Sequence, residues 1–127
     1  MTRKETRLKE VKATREGLIG GITAAGLTIR SSSHFVALPS TKALWRIVRV
    51  RQDNRVTLAV VLDVGPWNEH DDEYVFGSKP PSATSGIDTR NRKTNGAGID
   101  LSESVCRSLG WKPRQGEAIV EWELLEP

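Results

Sequence analysis

The chain has 127 residues, 37% of them hydrophobic and 28% charged, a size that suits one compact domain and leaves too little length for two. One cysteine excludes a disulfide framework, and one cysteine with two histidines cannot close a four-ligand zinc site, so neither a metal nor a cofactor is expected. Residues 1–16 carry six basic and three acidic side chains and therefore the whole net charge of +3, and the neutral remainder does not favour a nucleic-acid partner.

The N-terminal half begins with a predicted charged, solvated tail over residues 1–12, which lacks the apolar segment of a secretory signal. Weak strand patterns follow at 11–22 and 27–29. Two stronger strand patterns, at 45–51 and 56–62, are joined by a polar four-residue turn and predict a β-hairpin. The apolar run inside the second of these is far shorter than the roughly 20 residues that span a bilayer, so no membrane span is expected.

The C-terminal half begins with a polar, Pro- and Gly-containing stretch at 68–95, which predicts a long surface excursion. A short helix is predicted after Ser102, a favourable N-cap, and Gly110 ends it. Alternation at 118–125 predicts a last strand, with Trp122 in the core. These elements indicate a mostly β single domain with one short helix before the last strand.

Two carboxylates stand where apolar residues would be expected. Asp63 ends the run Val-Val-Leu, and Asp100 lies between Ile and Leu. A charge beside residues that favour burial costs several kcal/mol unless it is paired, hydrogen-bonded or neutralised. Each carboxylate could cap backbone N–H groups of the following turn or helix, or serve as a general acid whose pKa burial raises. The acidic segment 70–73 is of a type that binds oxygen-preferring cations, but solvated side chains are the expectation there.

Five short motifs together resemble the RlpA-like double-psi β-barrel family. That family reads T-A-S-G, A-H-x-x-L-P, N-D-R-G-P-F, I-D-L-S and L-G in order; the matching segments here are TAAG at 23–26, VALPS at 36–40, DVGPW at 63–67, IDLS at 99–102 and LG at 109–110. The resemblance implies one six-stranded double-psi barrel over residues 13–127, with a long loop at 68–98. It also implies kinship with expansins and lytic transglycosylases.

In that family an acidic residue cleaves a glycosidic bond of peptidoglycan without water, and its position falls on Asp100, with Asp63 as its partner. The resemblance therefore implies a peptidoglycan or other polysaccharide partner, which the protein would meet in the cell envelope or after release by a phage. The protein is expected to be a monomer. Trp67 and Tyr74 are the aromatic candidates for binding the sugar, although Trp67 could instead fill the barrel corner. His34 is a further substrate-binding candidate.

Two departures favour an alternative, a noncatalytic carbohydrate-binding module on the same barrel. Phe35 stands at the family's histidine position, and His34 lies one residue earlier, a slip that reverses the face of a strand. Val64 replaces the family's arginine beside Asp63. A nucleic-acid-associated barrel that uses the basic N-terminal tail and the basic segment 90–93 is a third, more distant hypothesis. Trp45, at the start of the first hairpin strand, is expected to pack in the core.

Overall fold

The computed structural model describes residues 8–125, so most of the predicted tail lies outside the described residues. Six strands close into a barrel in the order β1-β5-β2-β4-β3-β6. They span Lys9–Arg15 (β1), Phe35–Leu38 (β2), Ile47–Gln52 (β3), Arg55–Val64 (β4), Ile99–Leu101 (β5) and Glu117–Leu124 (β6). The β1–β5 and β2–β4 pairs are parallel and the other four are antiparallel. The predicted mostly β, six-stranded barrel is confirmed.

The first strand corrects the predicted boundary between tail and barrel. β1 begins at Lys9, four residues before the expected barrel start at residue 13. Its apolar positions are few, but Val11 and Ala13 are buried and the strand pairs with β6 along six residues. The backbone of β1 is therefore held by the barrel although most of its side chains are charged or polar.

The strongest sequence patterns form the elements they predicted. β3 and β4 pair from Ile47 to Gln52 and close through a two-residue turn, in which Asp53 has a φ of 55°. Helix α2, Glu103–Ser108, begins after Ser102, whose hydroxyl accepts a hydrogen bond from a backbone N–H of the first turn. These signals are local, which is why the sequence alone reveals them.

The long stretch 68–98 is more ordered than a surface excursion. It contains helix α1, Asp72–Val75, and a 3₁₀ turn, Ser82–Ser85. Tyr74 and Val75 are each 1% exposed, so this stretch supplies part of the core. Polar composition predicted solvent exposure, but the buried side chains of this segment, which also include Ala83 and Ala97, pack it onto the barrel.

The barrel interior is filled by alternate strand residues, among them Val36, Val48, Val61 and Trp122. Trp122 is fully buried as predicted, whereas Trp45 is 60% exposed. Trp45 lies before β3 and has a φ of 72°, so the alternation of that strand does not direct its side chain inward. The prediction of core packing for Trp45 is therefore wrong.

Candidate active site

Asp63 and Asp100 lie on the same outer face of the barrel, on either side of Ala37. Ala37 in β2 pairs with Asp63 in β4 on one side and with Asp100 in β5 on the other. Asp100 pairs in turn with Thr14 in β1. Because neighbouring strands are about 4.8 Å apart, the two aspartate Cα atoms are about 10 Å apart across a small alanine. Barrel closure thus brings together two carboxylates that are remote in the sequence.

A bulge in β4 gives Asp63 this orientation. Val36 pairs with Val61, but the next residue, Ala37, pairs with Asp63, so Leu62 is the extra residue. Without the bulge, Leu62 would face Ala37 and Asp63 would point toward the barrel interior, because successive strand residues alternate faces. Leu62 instead joins an outer apolar cluster with Phe35. The bulge therefore keeps the charged side chain out of the core.

Asp100 is held by a side chain rather than by backbone groups. The Thr14 hydroxyl donates a hydrogen bond to Asp100 Oδ1. The other oxygen, Oδ2, faces Gly65: a Cβ placed on Gly65 would lie 3.9 Å from it, and the φ of Gly65, 140°, suits glycine alone. Burial raises the pKa of Asp100 to about 6; the Thr14 hydrogen bond opposes this rise, and the charge of Asp63 adds to it.

Asp63 has the backbone-capping role that was one of its two predicted explanations. Its Oδ1 accepts hydrogen bonds from Ala24 N at 2.9 Å and from Val64 N at 3.0 Å. The first of these attaches the loop 17–29 to the end of β4, beside the bond from Ala25 N to Leu62 O. One oxygen of Asp63 is thereby fixed, and within residues 8–125 the other accepts no backbone hydrogen bond.

Glu16 is a third carboxyl group of this cluster, which sequence reasoning missed. It follows β1, its N–H bonds to Leu101 O, and it shares the outer face of Thr14 two residues earlier. Burial raises the pKa of Glu16 to about 9, and the neighbouring carboxylates of Asp63 and Asp100 act in the same direction. Its position in a segment with eight other charged side chains suggested a solvated side chain. The signal that could have revealed it was the alternation of polar residues at positions 12, 14 and 16.

Trp67 lies at the corner that follows β4, two residues after Gly65, whose backbone faces Asp100 Oδ2. Its indole Nε1 donates to Asn95 Oδ1 at 2.9 Å, which fixes the ring. The side chain is half-buried and lines a cavity of about 250 Å³ formed with the 68–71 and 82–92 segments, including Arg90 and Arg92. A ring fixed at the mouth of a polar cavity can present a face to a sugar.

The other two predicted substrate-binding side chains are occupied elsewhere. Tyr74 donates to Gly98 O at 2.8 Å and accepts from Trp122 Nε1 at 2.9 Å, and it is 1% exposed. The prediction that Tyr74 binds sugar is therefore wrong, because a buried ring offers no face to a polymer at the surface. His34 is hydrogen-bonded through both ring nitrogens, to Ser104 Oγ at 2.7 Å and to Thr57 Oγ1 at 2.8 Å, and shows no contact with the carboxylates.

The acidic segment 70–73 is occupied by local contacts. Asp71 accepts two hydrogen bonds from Ser82, and Asp72 accepts one from Ser40 and pairs with Lys42. Within residues 8–125 no group of three or more His, Cys, Asp or Glu side chains is arranged to hold a metal ion. In the same range, no helix has the length and apolar content that crossing a bilayer requires.

Comparison with known proteins identifies the family and the fold. The family described as "Domain of unknown function (DUF8814)" matches residues 4–79. The chain belongs to this family. No curated protein matches the sequence.

Solved structures share the barrel. Streptomyces papain inhibitor is 19% identical with a TM-score of 0.59, and the match covers 94% of each chain. Clavibacter michiganensis expansin is 15% identical with a TM-score of 0.58, and a mutant of it in complex with cellohexaose gives 0.55. Both expansin matches cover 94% of this chain and 50% of the expansin, so this chain spans about half the expansin's length. At these identities the likeness shows the fold, a double-psi β-barrel.

Proposed function

We propose that this barrel binds a cell-wall polysaccharide across the face that carries Asp63 and Asp100 and cleaves its glycosidic bonds, in the manner of an RlpA-like lytic transglycosylase acting on peptidoglycan. The observation that carries the proposal is the placement of Asp63 and Asp100 on one face of the barrel, where burial raises the pKa of Asp100 to about 6. A general acid works best when its pKa lies near the working pH, and ordinary surface aspartates lie well below it.

The division of roles follows from the contacts of each carboxyl group. Thr14 occupies Oδ1 of Asp100, which leaves Oδ2 to carry the proton toward the Gly65 corner. Asp100 donates that proton to the leaving glycosidic oxygen as the bond to the anomeric carbon breaks. A hydroxyl of the same sugar then attacks the anomeric carbon and returns its proton to Asp100, which yields an anhydro end. Asp63, fixed by two backbone N–H groups, stabilises the positive charge on the ring.

The cavity beside Trp67 supports a binding position for a neighbouring sugar. Its volume of about 250 Å³ is on the scale of one sugar ring, and the indole is fixed at its edge. Arg90, whose guanidinium has no hydrogen bond or ion pair among the described residues, lines the same cavity and could receive a carboxylate of an acidic sugar. The expansin bound to cellohexaose has the same fold, which is compatible with a polysaccharide ligand on this barrel.

The test is incubation with purified glycan strands followed by mass analysis of the products. We expect anhydro-ended fragments from the wild type and a loss of at least about 100-fold for Asp100→Asn. Asp53→Asn is the matched control, because Asp53 is an exposed aspartate in the β3–β4 turn. The proposal fails if the wild type releases no fragments, or if Asp100→Asn releases them at the wild-type rate.

A noncatalytic carbohydrate-binding module is the second candidate, favoured by the two backbone hydrogen bonds to Asp63 Oδ1. A carboxylate that closes a loop has a structural use without chemistry. This alternative predicts that Trp67→Ala weakens retention on insoluble sacculi while Asp100→Asn does not. Trp45→Ala is the control, since Trp45 is an exposed tryptophan that does not line the cavity. Equal retention of both tryptophan variants and the wild type would count against it.

A further inference from the structure

The Glu16 carboxyl group is buried without a hydrogen-bond donor. Both of its oxygens are shielded from solvent, and no N–H or O–H among residues 8–125 bonds to either one. An ionised carboxylate in that position would lose its hydration and receive nothing in exchange, which costs several kcal/mol. Protonation removes the charge and converts the group into a donor.

The charged groups around Glu16 also favour its protonated state. The elements packed against it contribute Asp63 from β4 and Asp100 from β5, both negative, while β2 contributes the apolar Ala37. The loop 17–29 contains no charged residue. The neighbouring cation, Arg15, lies on the alternate face of the chain and pairs with Glu103 at 2.7 Å. Among residues 8–125, no basic side chain forms an ion pair with Glu16.

We propose that Glu16 stays protonated at neutral pH and acts as a positioning residue, with its carboxyl O–H donating a hydrogen bond to the Asp63 carboxylate. Asp63 then has three donors: two backbone N–H groups on Oδ1 and the Glu16 carboxyl O–H. This arrangement fixes the orientation of the Asp63 side chain. The pKa of Glu16, raised to about 9 by burial and then by Asp63, agrees with it.

The effect of Glu16 on catalysis rests on the proposed function, whereas the protonated state of Glu16 does not depend on it. With Glu16 neutral, Asp63 is the one carboxylate of the cluster whose charge acts on Asp100. If Glu16 were also ionised, two anions would surround Asp100 and hold its proton more tightly, which weakens an acid that must release it. Glu16 thus sets the charge of the cluster without touching the substrate.

The first experiment observes the proton directly, by infrared spectroscopy of protein with isotope-labelled glutamate carboxyl groups. At pH 7.5 we expect the carbonyl stretch of one protonated glutamic acid, absent in Glu16→Gln and retained in Glu73→Gln, whose carboxylate is exposed and pairs with Lys79. A wild-type spectrum without this band at pH 7.5, or a band that persists in Glu16→Gln, overturns the proposal.

The second experiment separates positioning from a need for the carboxylate itself. The amide of Glu16→Gln can still donate to Asp63, so glycan cleavage should stay within a few-fold of the wild type. Glu16→Ala removes the donor and should lower kcat about tenfold or more with KM little changed. Equal loss in both variants contradicts the donor role. If the wild type does not cleave glycan, the proposed function fails, and the infrared band still decides the state of Glu16.

Discussion

Replacing Asp100 by asparagine should make the protein more stable at neutral pH, although it removes the proposed acid. The pKa of Asp100 rises from 3.8 to about 6 on folding, mainly through burial. Below pH 3.8 the side chain is protonated in both the folded and unfolded states and has no effect. As the pH rises from 3.8 to about 6, the unfolded chain releases this proton first, so the stability of the wild type falls. Asparagine resembles the protonated acid and does not incur this loss.

The size of the effect follows from the pKa change. A shift of about two pKa units corresponds to about 3 kcal/mol, which for a domain of this length moves Tm by roughly 10 °C. The free energy of unfolding should therefore be equal for wild type and Asp100→Asn near pH 3.5, and higher for the variant by about 3 kcal/mol at pH 7.

Urea denaturation at half-unit pH steps measures this difference, and contributions from the other titrating groups cancel between the two proteins. Asp53→Asn, in the exposed β3–β4 turn, should show no such trend. An Asp100→Asn variant that is less stable than the wild type at pH 7 would refute the reasoning, because it would show that the ionised carboxylate stabilises the fold as an ordinary cap.

Tyr74→Phe should cost about 2–4 kcal/mol in urea denaturation, because it leaves the buried Trp122 Nε1 without its acceptor, and it should leave sacculus retention unchanged. His34→Ala should cleave glycan strands at the wild-type rate, because both ring nitrogens are bonded to Ser104 and Thr57 rather than to the carboxylates. A more than tenfold loss of cleavage rate would show that His34 takes part in the site. Arg90→Gln should weaken binding to carboxylate-bearing strands several-fold without affecting neutral ones, whereas Lys93→Gln, on the same loop but not lining the cavity, should change neither.

Parts of the candidate site were accessible from the sequence, because some residues conflict with their own neighbours. Asp63 and Asp100 are charges inside apolar runs, and such a conflict is visible without coordinates. Trp67 follows Gly-Pro at a strand end, where a corner must form. Glu16 shows no such conflict: it stands among other charged residues, and only the pairing of β1 with β5 places it on the same face as Asp100.

Local sequence signals predicted the hairpin of β3 and β4, the helix start after Ser102 and the mostly β class, because turn residues, caps and strand alternation act between residues close in the chain. The outward orientation of Asp63 at the Leu62 bulge and the burial of Tyr74 in the core became visible only in three dimensions. Both features depend on contacts between segments that are tens of residues apart, and a local sequence pattern does not reveal which of these contacts form.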